Sequence, residues 1–139
     1  NKGRMKLPAT LKGQVSPDIK GRFVINRGFD KCLTLYPWDE WEKESGRVNK
    51  LNTMRRKARE FARYFFRGAT ELTLDSADRL LIPKLLQDYA NIEKEVLLTA
   101  RNNVIELGNK DVYEELMAMD SDGYADLADE VFGDEPGDE

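Results

Sequence analysis

Asp75 and Arg79 stand four residues apart in the stretch Asp75-Ser-Ala-Asp-Arg-Leu-Leu-Ile-Pro83, and the chain opens on a close relative of it, Asn1-Lys-Gly-Arg-Met-Lys-Leu-Pro8. A carboxylate and a guanidinium at that spacing can close an ion pair across a tight turn, bracing it and leaving neighbouring bases pointing outward. Lys2, Arg4 and Lys6 alternate, so on a strand they project to one face. Such an array suits a run of phosphates, and an arginine within it suits a guanine edge, which it binds through two parallel hydrogen bonds. The plainer alternative is a structural Asp-Arg brace beside solvated lysines. Arg79 is the weaker cation of the set, because Asp78 stands where the first copy has Gly3 and adds negative charge.

Other chemistry finds little support. The chain has no histidine and a single cysteine, Cys32, which excludes a Ser-His-Asp triad, a Cys-His pair, zinc sites of the Cys/His type and an intrachain disulfide. No Gly-rich phosphate loop occurs, and no pair of acids is fixed by a motif. Cys32 lies in an apolar run and reads as core. We therefore expect no catalytic residues, no metal and no cofactor. No apolar run reaches transmembrane length and no secretory pattern is present, so a cytoplasmic protein without a membrane partner is expected. The net charge of −4 hides an asymmetry: residues 120–139 hold nine acids and no base, leaving 22 bases against 17 acids in residues 1–119. A basic body with an acidic tail permits a polyanion partner.

The elements that must position these residues come in two copies. Arg4, Leu7, Pro8 and Leu11 correspond to Arg79, Ile82, Pro83 and Leu86 at a constant offset of 75. Farther on, Phe23-Val-Ile25 matches Val96-Leu-Leu98, and Cys32-Leu-Thr-Leu35 matches Val104-Ile-Glu-Leu107. Each copy reads as a turn, a short strand ending at a proline, a helical turn (9–14 and 84–89), two strands (22–26 with 32–36; 95–99 with 103–107) and a closing helix. The closing helices start near Pro37 and near Asn109, whose side chain can cap. The second copy adds a leading strand over 69–74, so a leading strand and an aspartate are expected ahead of Asn1. Leu7, Ile25, Leu33, Ile82, Leu98 and Ile105 are the expected core. Residues 48–65 predict one amphipathic linker helix, with Leu51, Met54, Ala58, Phe61 and Phe65 as a buried stripe and Arg55 to Arg63 on the other face. Asp18-Ile-Lys-Gly-Arg22 repeats the Asp-x-x-x-Arg spacing but lacks a proline four residues on, and reads as a loop entering the strand at Phe23.

The two Arg-φ-x-φ-Pro copies (φ apolar), with Phe66-Arg-Gly-Ala69 before the second and Cys32-Leu-Thr-Leu-Tyr-Pro-Trp38 after the first, resemble the MraZ family over roughly residues 1–117. The resemblance implies an α+β, mainly β fold: an AbrB-like swapped-hairpin β-barrel formed by two tandem pseudo-symmetric repeats, with peripheral helices. The expected organisation is a first repeat with linker helix over 1–62, a second repeat over 63–117 and a disordered acidic tail over 118–139. The implied function is sequence-specific transcriptional regulation of the division and cell-wall gene cluster. The partners would be double-stranded DNA, read as short direct repeats upstream of its own operon, and further copies of the chain in a ring-shaped homo-oligomer on the nucleoid. Lys2, Gly3, Arg4, Lys6 and Arg79 are then the expected DNA contacts, with Asp75 and Arg79 as the brace. The alternative is a protein-interaction or antitoxin-like module of the same fold.

Overall fold

The computed structural model describes residues 3–15, 17–93 and 95–133. Among them, β1 (Arg4–Lys6) and β5 (Arg79–Leu81) form a two-stranded ribbon. A five-stranded sheet runs in the order β4 (Thr70–Thr73), β2 (Arg22–Arg27), β3 (Leu33–Pro37), β7 (Val104–Asn109), β6 (Val96–Arg101). Both sheets are antiparallel throughout. Three of the ladders join one repeat to the other: β1 with β5, β2 with β4 and β3 with β7.

The registers are reciprocal. Met5 faces Leu80, while Arg4 faces Leu81 and Lys6 faces Arg79. Since Arg4 corresponds to Arg79 and Lys6 to Leu81, each strand pairs with its own counterpart about a local twofold at Met5/Leu80. In the larger sheet Thr34 faces Glu106, with Leu33 on Leu107 and Leu35 on Ile105. Those residues are again each other's counterparts, about a centre at Thr34/Glu106.

The sheets do not close into the expected barrel. Pro8 and Pro83 end the strands and open α1 (Ala9–Lys12) and α4 (Lys84–Tyr89), so β1 and β5 are three residues long. The next amides are spent inside the ribbon: Leu7 N–H donates to the Asp78 carbonyl at 2.9 Å and Ile82 N–H to that of Gly3 at 2.8 Å. Too little backbone remains for a ladder to the larger sheet, and the two meet through side chains instead. Leu7, Leu80 and Ile82 pack with Phe23, Ile25, Leu33, Leu35, Ile105 and Leu107 in one buried cluster. Of the six expected core residues five are buried, and Leu98 is half-buried against the same cluster.

Two helical expectations need correction. α2 (Trp38–Asn49) is the closing helix expected from Pro37, and α3 (Arg56–Gly68) is the linker helix, which does not run over the expected 48–65 but starts only at Arg56. Asn52 delays its start: its side chain accepts from Met54 N–H at 3.0 Å and its carbonyl from Arg55 N–H at 3.0 Å, a local turn that competes with helix. Leu51 and Met54 are consequently exposed, and α3 buries no residue, although Phe65 stacks on Trp41 at 5.3 Å. The acidic tail, expected to be disordered, is helical over α6 (Ser121–Gly133), with the Asp120 carboxylate accepting from Gly123 N–H at 2.7 Å. The closing helix of the second repeat, α5 (Lys110–Leu116), is capped by the Asn109 side chain, which accepts from Asp111 and Val112.

The reciprocal ladder and the free-standing helix make opposite predictions. Leu80 is fully buried, so Leu80→Ala should cost about 2–5 kcal/mol in chemical denaturation. Truncation after Met119 removes no buried side chain among the described residues and should leave the melting temperature within a few degrees of the full chain. A large drop on truncation would mean that α6 packs on the body.

Candidate nucleic-acid interface

The ribbon has an inner and an outer face. Met5 and Leu80 turn inward; Arg4, Lys6, Arg79 and Leu81 are exposed on the other side. Pleating puts alternate residues on one face, and the antiparallel register sets Lys6 directly opposite Arg79 and Arg4 opposite Leu81. Three cations thus share a narrow two-stranded surface about three residues long. Lys2 lies outside the described residues.

The turn ahead of β5 is held by Asp75. One carboxylate oxygen accepts from Ala77 N–H at 2.8 Å and Arg79 N–H at 2.9 Å, and the other meets Arg79 Nε at 3.0 Å. This bond engages Nε and not the terminal amino groups of the guanidinium. The Arg79 N–H is the largest influence on the Asp75 carboxyl and lowers it below its ordinary value. Partial desolvation opposes that, while the Ala77 N–H and the guanidinium add to the lowering.

Gly3 and Asp78 occupy the same place in the two turns, and both are left-handed, with φ of 85° and 58°. Glycine adopts that region freely and aspartate tolerates it. Each turn is covered by the other repeat's short helix. Lys12 Nζ meets the Asp78 carboxylate at 2.8 Å. Gln87, the counterpart of Lys12, donates to the Ile82 carbonyl at 2.7 Å, and its amide nitrogen fills the space where a Cβ on Gly3 would lie. The charge of Asp78 is therefore matched locally by Lys12, and the glycine turn by an uncharged amide. Sequence reasoning missed this pair of contacts, although Lys12 and Gln87 sit at the repeat offset and change together with Gly3 and Asp78.

Beside the ribbon runs an open groove of about 860 Å³, whose lining includes Arg4, Lys6, Lys84, Glu93, Val96 and Leu98. No group of His, Cys, Asp or Glu that could hold a metal occurs among the described residues. Arg22, in the second Asp-x-x-x-Arg, begins β2, pairs with Glu71 at 3.3 Å and lies over the Trp38 ring at 3.9 Å. It ties the repeats together away from the ribbon. No helix among the described residues is long and apolar enough to cross a membrane.

Residues 1–64 and 65–133 each match the sequence model of the MraZ protein family, whose description likens it to antitoxins. The chain belongs to the MraZ family. The second match runs on through α6. The transcriptional regulator MraZ of Christiangramia forsetii is 44% identical over 133 residues, covering 95% of this chain and 86% of that relative. Its namesake in Cytophaga hutchinsonii is 42% identical over 128 residues, covering 91% and 84%. That of Bifidobacterium longum is 35% identical over 130 residues, covering 94% and 84%. In MraZ terms the ribbon is one of the places where the two family repeats meet.

The lowered Asp75 carboxyl fixes a sign. A depressed folded value gives stability that is complete above the unfolded value of about 3.9 and is lost as pH falls through the folded one. The stability difference between wild type and Asp75→Asn should be flat from about pH 7 to about pH 5 and shrink below about pH 4. Paired urea titrations across that range measure it. A difference that persists undiminished in acid would mean the ionised brace contributes nothing.

Proposed function

We propose that this MraZ-family chain is a transcriptional regulator that binds double-stranded DNA through the outer face of the β1–β5 ribbon. The observation that carries this reading is the set of three exposed cations, Arg4, Lys6 and Arg79, on one face of a two-stranded ribbon. The major groove, about 12 Å wide, admits a two-stranded ribbon. Arg4 is the candidate for a base edge. Lys6 and Arg79 suit phosphates, with Lys2 added on sequence alone, and Gly3 adds no side chain of its own to a turn that Gln87 covers. The curated relatives carry the regulator's name, which supports the same reading.

One ribbon offers few contacts. Useful affinity then requires several chains engaged at once on adjacent sites, since tethered copies raise effective concentration without new contacts. That favours a homo-oligomer, ring-shaped, on short direct repeats upstream of its own operon in the division and cell-wall cluster, working in the cytoplasm on the nucleoid. Catalysis has no place in this reading.

A binding titration on the protein's own upstream DNA and on a scrambled duplex, at two salt concentrations, tests it. Arg4→Ala should cost about 1–3 kcal/mol of discrimination without a matching loss of thermal stability. Lys2→Ala should weaken both duplexes alike and reduce the salt slope by about one. Equal affinity of the wild type for both duplexes would favour a protein-interaction module. An Arg4→Ala chain with unchanged operator affinity would move the DNA surface to the Arg55–Arg63 face of α3.

A further inference from the structure

The arginines of α3 form a row. Arg59, Arg63 and Arg67 recur at steps of four, so they share one face of the helix, and Arg56 extends that face by a turn. All four are exposed. Glu60, the only acid on α3, pairs with Arg56 at 3.2 Å, and Arg59 donates to the Thr53 and Met54 carbonyls at 2.9 and 3.1 Å. Arg63 and Arg67 meet no acid among the described residues. Like charges four residues apart repel and weaken a helix, so the row stands against the helix's own stability. The opposite side of α3 is occupied by the body. Asn26, buried, donates to the Phe65 carbonyl at 2.9 Å, and Arg27 Nη2 donates to the Tyr64 carbonyl at 2.7 Å with its guanidinium 3.6 Å from the Tyr64 ring. Both contacts fall in the C-terminal half of the helix, where its dipole favours a cation. Phe65 stacks on Trp41, and Ala58 and Ala62 are half-buried. Tyr89 on α4 donates to the Gly28 carbonyl at 2.9 Å, next to Arg27, and Gln87 on the same helix covers Gly3. α4 therefore links the end of α3 to the ribbon.

We propose that the arginine face of α3 is a second DNA contact, which binds backbone phosphates beyond the site that the ribbon reads. This rests on the reading that the ribbon binds DNA and adds to it a surface without sequence preference. Arg59, Arg63 and Arg67 span about 12 Å of helix at 1.5 Å per residue, and each strand of a duplex offers a phosphate about every 3.4 Å along its axis. The row therefore covers a short run of phosphates on one strand. Polyanion binding relieves the repulsion within the row, which gives the unfavourable spacing a use. A lipid surface would take up the apolar side of a helix, and here that side faces Trp41 and β2. Arg63 and Arg67 are the residues that grip phosphate, while Arg59 also holds the turn at Thr53 and Met54. Asn26 and Arg27 are positioning residues: they fix α3 on β2 from the side opposite the row.

Titrations of the full chain on its own upstream DNA and on a scrambled duplex, each across a salt series, test this. Arg63→Gln with Arg67→Gln should weaken both duplexes by the same factor, about tenfold at low salt, and reduce the salt slope by about two, since each phosphate contact contributes about 0.9. The ratio between the two duplexes should keep its wild-type value. Lys43→Gln with Arg47→Gln removes the same charge from exposed positions on α2 and should leave the slope unchanged. Thermal melts of the α3 variant should match or slightly exceed the wild type, because two repelling pairs are relieved. An unchanged slope, or a fall no larger than that of the α2 variant, overturns the proposal. So does a melting temperature lowered by more than a few degrees, which would make the arginines structural, or an altered mass in solution, which would make the face a protein contact. Binding to vesicles of anionic phospholipid that the α3 variant loses while it keeps its DNA affinity would make the face a lipid surface instead. The ribbon reading fails separately: if Arg4→Ala keeps the operator preference while the α3 variant still lowers the slope, the contact on α3 stands and that on the ribbon falls.

Discussion

Met5 and Leu80 face one another at the centre of a three-residue ladder, and that reciprocal pairing is one of the three ladders that hold the two repeats together. Neither strand has a partner within its own repeat, and each is cut short by a proline that starts a helix. Leu80 is fully buried, and Leu7 and Ile82, the residues that follow β1 and β5, are nearly so. The inner face of the ribbon is therefore apolar by necessity, and alternation then forces Arg4, Lys6 and Arg79 outward. The basic surface is a consequence of how the repeats close on each other. A one-residue slip would carry the cations into the core, where an unpaired charge is strongly disfavoured.

Much of this was legible from periodicity. The repeat match and turn signals located the strands to within two residues, and the prolines gave the ends of β1 and β5. Asn109 could be named as a cap because an amide ahead of a helix has one evident task. Barrel closure was not legible, since it depends on how many backbone groups remain after Leu7 and Ile82 donate across the ribbon. The linker misled because Leu51, Met54, Ala58, Phe61 and Phe65 keep helical spacing straight through Asn52. Spacing cannot register a side chain that turns the backbone locally. The tail misled in the other direction: acidity suggested disorder, yet its apolar residues keep helical steps and Asp120 caps it.

The candidate site divides the same way. Which residues are basic, and that they alternate, can be read from the sequence; which of them is matched by a neighbour cannot. Asp78 looked like a liability beside Arg79, but its carboxylate is met by Lys12 from the other repeat. Asp75 serves Arg79 through both its backbone amide and its Nε. The two turns are thus equivalent in path and different in charge, one with Gly3 against the uncharged Gln87 amide and one carrying an ion pair.

That difference bears on why a duplicated chain is more than a dimer of one unit. In a true twofold dimer both turns would be identical, and any change that favours a partner at one would be imposed on the other. Here Gly3 with Gln87 and Asp78 with Lys12 have diverged as matched sets, each retaining the left-handed turn. The cost of the divergence is small, because aspartate tolerates that conformation and its charge is offset. The gain is a ribbon with a front and a back: a less acidic end at β1 and a braced end at β5. Any partner that meets this ribbon meets an oriented surface, one whose two turns differ in charge while sharing a backbone path.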